Sequence, residues 1–575
     1  MINIIFRGED MDQSNHNWFS SVEAPIKVSG RDAVSWDESK DLVVVGFGGA
    51  GVATALQSLD NGLSVIALDK FAGGGATTIN GAVVYAGAGT SIQKEANITD
   101  TADNMFNYLK QESEDIVSHE TLRDFCDTSP EMINWLQEKG VEFGSTVWHK
   151  KTSYPGPEYF VYHSDNSLAK SYCKHATPAA RGHRAYVPIE EGRKATNLGY
   201  AIFNPLKQSA LDKGLLLETY HEARQLIVDD NQEVLGVVVL YFDDEKLLKK
   251  YQKLKKRAER LLMVLPPILP GYNFFAKRAM AVLEKAKILE SKRSQKMIEA
   301  KKGVMLSAGG FIYNADMLNH YAPKYNASLP LGTEGDDGSG IRLGQSVGGK
   351  AENMDCISAW RFINPPLSFG RGFIVNKHGK RFIDELVYGA TLGVEMVENQ
   401  EGKAWLILDK KLIKAALEEV SGGKALNFQR DLARLNVWFA AVKASTIEGL
   451  AEKLSLPADA LKDQLETYNQ AARAQNGSDI FEKSDDDLVE ITSPFYGIDI
   501  SLDAKLFPCP ALTLGGLKIN EATGQVLDDN SNVVKGLYAS GRNAIGVSSK
   551  NYVSGLSVAD CIFSGRRAAQ HISGH

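Results

Sequence analysis

The most constraining feature of this chain lies between residues 41 and 70. Four apolar residues, Leu42–Val45, run directly into Gly46-Phe47-Gly48-Gly49-Ala50-Gly51, and a helical pattern opens on these glycines. The first glycine permits a tight strand-to-helix turn. The second lets the backbone close on a pyrophosphate, the third lets helix pack against strand, and the helix N-terminus faces the phosphates. A second apolar strand pattern ends at Asp69, about 20 residues further on, where an acid accepts ribose hydroxyls. Strand, turn, helix and acid together predict a βαβ dinucleotide-binding unit, and with it a doubly wound α/β domain.

The choice between dinucleotides follows from two more glycine clusters. Gly73-Gly74-Gly75-Ala76-Thr77-Thr78-Ile79-Asn80-Gly81 comes just after the acid, and Gly536-Leu537-Tyr538-Ala539-Ser540-Gly541-Arg542 lies far downstream. Two distant segments closing on one cofactor, with backbone N–H groups free to approach it, suit FAD better than a nicotinamide. The candidate contacts are Gly46, Gly48, Gly49, Ala50, Gly51, Asp69, Gly74, Gly75, Ala76, Thr77, Thr78, Asn80, Gly81, Gly541 and Arg542.

Composition narrows the class. A net charge of −7 over 575 residues excludes a nucleic-acid binder. The five cysteines include no C-x-x-C pair, which argues against zinc or any other metal site, against a disulfide framework, and for a reducing, cytoplasmic setting. No apolar run reaches the ~18 residues of a membrane span, and the N-terminus has no signal-peptide pattern. Residues 1–36 read as a leader of low information, with Met11 a second possible start. Residues 37–318 and 506–575 read as the two parts of the FAD-binding domain, and 319–505 as an inserted α+β catalytic domain.

One segment departs from the rest. Residues 246–302 carry 17 Lys and Arg against 4 Glu. Two basic helical patterns flank an apolar, Pro-broken tip, LLMVLPPILPGYNFF. The insertion, 243–298 in outline, is read as a peripheral membrane contact on the inner face of the cytoplasmic membrane, with basic stems on anionic headgroups. A solvated hairpin and an oligomer contact are the competing readings. Its removal is expected to leave FAD binding intact.

Several motifs then point to a family. Residues 41–81, Ser307-Ala308-Gly309-Gly310, Arg381-Phe382-Ile383-Asp384-Glu385, Leu514-Gly515-Gly516-Leu517 and Gly536–Gly541 resemble the fumarate reductase/succinate dehydrogenase-type flavoproteins, a group that includes the 3-ketosteroid dehydrogenases. Within it, Pro178-Ala179-Ala180-Arg181-Gly182-His183 and Asn551-Tyr552-Val553-Ser554-Gly555 resemble the 3-ketosteroid Δ4-(5α)-dehydrogenases. Departures from the relatives agree. The His-His-Thr-x-Gly-Gly of fumarate reductases is Ala511-Leu512-Thr513-Leu514-Gly515-Gly516 here, and no arginine follows Glu385 in LVYGATLGVEM. The Tyr-Pro-Gly-Pro-Gly of Δ1-dehydrogenases is replaced by Tyr552-Val553-Ser554-Gly555.

The resemblance implies further FAD contacts at Lys70, Ala223, Ala308, Gly309, Gly555, Leu556 and Ser557. It implies catalytic roles for Tyr552, Ser554 and Tyr388, which take the C4 proton of a 3-ketosteroid while the C5 hydrogen leaves as hydride to FAD. The Gly555 N–H is expected to hold the ketone, and an external acceptor to reoxidise the flavin. A Δ1-dehydrogenase, a reductase running in the opposite direction and a non-catalytic flavoprotein adaptor are the alternatives. Other roles are expected to be structural. Arg381 and Glu385 should form an ion pair, His183 should order its loop, Ser554 could also cap the last helix, and Arg566 and Arg567 should lie on a solvated face.

Overall fold

The computed structural model describes residues 22–79, 81–194, 197–265, 271–423 and 425–574. Strands β1 (Glu38–Val45), β2 (Val65–Asp69) and β3 (Leu216–Thr219) lie side by side and parallel. Leu42, Val43 and Val44 have no exposed surface, as expected of a parallel sheet covered on both faces. Between β1 and β2 runs α1 (Gly49–Asp60). Gly46 turns the chain at φ +94°, where a Cβ would lie 2.6 Å from the Ala308 Cα, and a Cβ on Gly51 would lie 2.1 Å from the Gly46 carbonyl oxygen. No larger residue fits either position.

Strands β4 (Glu222–Val228) and β5 (Val234–Tyr241) form a hairpin. Its turn is held by Asp229, whose carboxylate accepts the N–H groups of Asn231 and Glu233. Strand β6 (Ser294–Leu306) then serves several neighbours. Its first half pairs antiparallel with β5, its second half pairs parallel with β7 (Val533–Ala539), and β1 runs parallel along it. The far C-terminal cluster is thereby returned to the edge of the glycine turn. The last helix, α4 (Leu556–Ser573), packs tightly against α1: a Cβ on Gly565 would meet the Ala50 carbonyl oxygen at 2.8 Å.

The architecture is α/β. Between β6 and β7 an antiparallel sheet is built from residues Phe373–Val375, Trp405–Asp409, Phe495–Asp499 and Val442–Ala444, in that spatial order. The described end of the leader is fastened to the domain: residues 26 and 27 extend the large sheet beside β4 and Arg31 donates to the Ala300 carbonyl at 2.9 Å. Met11 lies outside the described residues.

The basic insertion differs from expectation at its far end. It forms α2 (Glu245–Leu262) and α3 (Tyr272–Glu290), but its last basic residues belong to β6 rather than to a helix. Ile298 and Ala300 are fully buried around the partly exposed Glu299, a period of two that the lysine count conceals. Tyr241 pairs with Ser294 across the hairpin's base, so the insertion proper is 243–292.

Candidate functional site: a dinucleotide channel ending in a hydroxyl cluster

A cavity of about 770 Å³ runs from the glycine turn to the N-terminal end of α4. Of the expected cofactor contacts, Gly46, Gly48, Gly49, Ala50, Asp69, Lys70, Gly75, Ala76, Thr77, Thr78, Gly81, Ala223, Ala308, Gly309, Arg542 and Ser557 line it. Gly51, Gly74, Gly541, Gly555 and Leu556 stand behind the wall. Gly51 admits the helix, Gly74 donates its N–H to the Phe47 carbonyl at 2.7 Å, and Gly541 nestles against Ala50 and Cys561. Asn80 lies outside the described residues.

Asp69 acts on the turn itself. Its two carboxylate oxygens accept the N–H groups of Phe47 at 2.9 Å and Phe71 at 2.8 Å, fixing the glycine turn and the chain beyond β2. Thr77 reaches back to accept the Gly49 N–H at 3.0 Å, tying the second glycine loop to the start of α1. Lys70 is clamped between Glu222 and Asp337, at 3.0 and 2.9 Å, and these carboxylates raise its pKa above the ordinary value against the cost of desolvation. Arg542 gives one amine to Asp336 at 2.6 Å, and its other, Nη1, is buried in the wall with no hydrogen-bond partner. A glycine-lined channel with a free guanidinium amine in its wall is a donor set that fits the pyrophosphate of FAD.

The other end is aromatic and apolar: Trp360, Phe362, Leu426, Pro510 and Leu512 face Tyr154, Tyr552 and Arg184. The Tyr552 ring stacks on Trp360 with centroids 5.0 Å apart. Burial raises the Tyr552 phenol above its ordinary pKa, and the backbone of Gly555 opposes the shift. Gly555 must be glycine, since at φ +88° its Cβ would lie 2.7 Å from the Tyr85 nitrogen. Ser554 is buried behind the wall, its Oγ 3.4 Å from the Tyr162 hydroxyl and 3.5 Å from that of Tyr154. Tyr388 packs edge-on against Phe362 and is 3% exposed. Its hydroxyl makes no hydrogen bond of good geometry; burial together with the hydroxyls of Tyr552, Tyr154 and Tyr162 pushes its pKa far up, and neighbouring Ser554 opposes the shift.

Three residues of this cluster escaped the sequence reading. Tyr154, Tyr162 and Arg184 come from residues 148–195, a stretch in which the sequence points to no cofactor or catalytic residue. Its aromatic density, with Trp148, Tyr159 and Phe160 also present, was the available signal. Arg184 is the one cation among them, and its Nη1 is engaged by the carbonyls of Gly156 and Tyr159.

Several structural expectations are met and others corrected. Arg381 grips Glu385 through two parallel hydrogen bonds of 2.9 and 3.0 Å, with Asp479 and Lys483 completing a buried quartet. His183 is fully buried between the Arg181 carbonyl and the Thr90 hydroxyl. Ser554 caps nothing, because α4 begins after Gly555 and receives no side-chain cap. Arg566 is not solvated: it pairs with Glu131 at 2.8 and 3.0 Å and covers Trp135. The Arg567 Nε is buried. The insertion also reaches the cavity, through Tyr251, Lys255, Ala258 and Leu262 of α2 and Leu283 of α3.

The channel, its two-segment closure and the cluster at its end define a flavoprotein oxidoreductase. The family model described as FAD binding domain matches residues 41–558, and the chain belongs to that family. It is 35% identical over 523 residues to 3-oxo-5-alpha-steroid 4-dehydrogenase of Comamonas testosteroni, covering 90% of this chain and 95% of that protein. A second relative is 3-oxosteroid 1-dehydrogenase of Mycolicibacterium smegmatis, at 25% identity over 87% of this chain and 91% of that one. The crystal structure of 3-ketosteroid-delta4-(5alpha)-dehydrogenase from Rhodococcus jostii RHA1, in complex with 4-androstene-3,17-dione, superposes with a TM-score of 0.79 at 26% identity, covering 96% of this chain and all of that one. FAD is the cofactor, and the protein is an FAD-dependent oxidoreductase.

Proposed function

We propose that this protein is a 3-ketosteroid Δ4-dehydrogenase that converts a saturated 3-ketosteroid to the 4-ene-3-ketone. The observation that carries the reading is the Tyr552 hydroxyl, presented on an aromatic wall at the edge of a buried cluster that also holds the hydroxyls of Tyr154, Tyr162, Tyr388 and Ser554. Trp360, Phe362 and Leu512 offer a flat rigid hydrocarbon a flat apolar bed, and among the described residues Arg184 is the one cation lining this end, where a dicarboxylate would need a clamp of several. Bound FAD supplies the acceptor for the hydride from C5.

The protein's part is the proton. The steroid lies so that C4, the α-carbon of its ketone, is within reach of the Tyr552 oxygen. Polarising the carbonyl acidifies C4, and Tyr552 in its ionised form takes the proton and becomes the phenol, with Ser554 and Tyr388 as supporting hydroxyls. The apolar wall excludes water from the enolate.

Anaerobic mixing of the yellow protein with 5α- and 5β-androstane-3,17-dione tests the reading. Flavin bleaching with a 4-ene product is expected, faster for the 5α isomer. A 1-ene product would move the protein to the Δ1-dehydrogenases, and no bleaching with either isomer would remove the substrate class.

We also propose a peripheral membrane contact for the hairpin in a cytoplasmic protein. Among the described residues no helix is long and apolar enough to cross a membrane. Met263 is 82% exposed and Phe274 54% exposed, beside the exposed cations Arg257, Arg260, Lys277 and Arg278. Apolar side chains ringed by cations suit an anionic lipid surface. Co-sedimentation with vesicles containing phosphatidylserine should fall in a Met263→Ser/Phe274→Ser double variant. Equal pelleting of native and variant protein would defeat the idea.

A further inference from the structure

The hairpin has two faces of different chemistry. Outward, Lys249, Lys250, Lys253, Lys256, Arg257 and Arg260 are exposed. Inward, Tyr251, Lys255, Ala258 and Leu262 recur at helical spacing and turn toward the cavity. This inner face is built rather than incidental. Tyr251 is buried and donates its hydroxyl to Glu290 at 2.9 Å, fastening α2 to α3, while Ala258 and Leu262 pack with Tyr272 and Ala276 in a core of the hairpin's own.

The neighbours of that face identify what it stands over. The Tyr251 ring meets Tyr220, the residue after β3, edge-on at 6.4 Å. The Lys255 ammonium lies 5.5 Å from the centroid of Phe71, two residues beyond Asp69. It then crosses to Glu334 at 2.5 Å, bridging α2 to the loop on the cavity's other side. In a βαβ dinucleotide site the glycine turn takes the pyrophosphate, and the residues at and beyond the acidic end of the second strand meet the adenosine half. Helix α2 therefore stands at the adenosine end, away from Tyr552.

We propose that the hairpin is part of the cofactor site: α2 clasps the adenylate half of FAD, with Ala258, Leu262 and Leu283 covering the base and the Lys255–Glu334 pair latching the mouth. The clasp uses only the inner face and leaves the basic outer face free. It also reverses the sequence-based expectation that FAD binding is indifferent to the insertion.

The test is release of flavin from the holoenzyme, followed by recovery of flavin fluorescence after dilution. Lys255→Ala and Glu334→Gln each remove one side of the latch. In a third variant Asn-Gly replaces residues 243–292, a join that the antiparallel pairing of Tyr241 with Ser294 permits. FAD release should quicken about tenfold in the point variants, the size of one charge-assisted contact, and further in the hairpin-less protein. FMN, which lacks the adenylate, should bind native and variant proteins alike. FAD release within twofold of native in both point variants overturns the clasp, and so does an equal loss of FMN affinity, which would mark general destabilisation. The two point variants decide the matter if the hairpin-less protein does not fold.

Discussion

Tyr552 and Trp360 lie stacked, ring on ring, 5.0 Å between centroids with planes 25° apart. One residue is brought by the chain entering the last helix and the other by the inserted unit, so the stack joins the two parts of the fold at the cavity wall. The stack fixes the Tyr552 ring independently of its hydroxyl. Tyr552→Phe should therefore keep the stack, FAD and the melting temperature, and lose about 10²–10⁴-fold in flavin reduction, the range for a general acid–base group. Because burial raises this phenol, its ionised form is scarce at neutral pH. Reduction by the native protein should thus accelerate with pH from 7 upward, and the variant should lack that rise. Stopped-flow bleaching across pH measures both, and near-native rates in Tyr552→Phe would remove the residue as the base.

Tyr388 offers a separation of activity from stability. Its buried hydroxyl makes no hydrogen bond of good geometry, and such a group costs about 1–3 kcal/mol. Tyr388→Phe removes the cost and keeps the edge-on contact with Phe362. The variant should melt at the native temperature or above it, while flavin reduction falls at least tenfold. Calorimetry beside single-turnover kinetics checks the pair; a lower melting temperature with normal turnover would mark Tyr388 as a packing residue.

How far the sequence could be read depended on whether a feature is local. The glycine turn was legible because three glycines at fixed spacing report directly on φ at Gly46 and on the approach of Gly51 to the Gly46 carbonyl. The Arg381–Glu385 pair was legible for the same reason, its partners lying four residues apart in one loop. Tyr154 and Tyr162 were not, because they reach Ser554 from a segment almost 400 residues distant and no periodicity links the two. The insertion's reach to the cavity was not legible from its charge, because a charge count weighs the exposed lysines of α2 and is blind to Tyr251, Ala258 and Leu262, whose helical spacing was present in the same stretch. Its boundary was missed because lysines at the edge of β6 hide the alternation of Ile298 and Ala300.

The Arg381 quartet predicts a large stability effect away from the chemistry. Two cations and two carboxylates are buried together, and Glu385 also accepts the Ile374 N–H at 3.0 Å. The neighbouring cations hold the Glu385 carboxyl below its ordinary pKa against the cost of burial. Glu385→Gln leaves Arg381 and Lys483 with one carboxylate between them, and breaking one partner of a buried pair costs about 3–5 kcal/mol. Urea unfolding should show a loss of that order. Because Glu385 opens the turn that carries Tyr388, whose N–H donates to Asn166 at 2.5 Å, flavin reduction should fall as well. A stability change below about 1 kcal/mol, the usual worth of an exposed pair, would contradict the burial.

His183 predicts how the fold responds to acid. Its Nδ1 faces the Arg181 carbonyl, so Nδ1 carries the proton and Nε2 accepts from the Thr90 hydroxyl, leaving no room for a second proton. Burial lowers its pKa to about 4. The unfolded chain takes up a proton near pH 6.5 that the folded protein refuses, so stability is complete above pH 6.5 and declines as pH falls toward 4. The decline attributable to this residue is about 3 kcal/mol at its acid limit. His183→Asn, which can still donate to the Arg181 carbonyl, should be less stable than the native protein at pH 7.5 through lost packing, and its stability should fall less steeply between pH 6.5 and 4. Urea midpoints at five pH values give the two slopes; identical slopes would mean that His183 accepts the proton in the folded state.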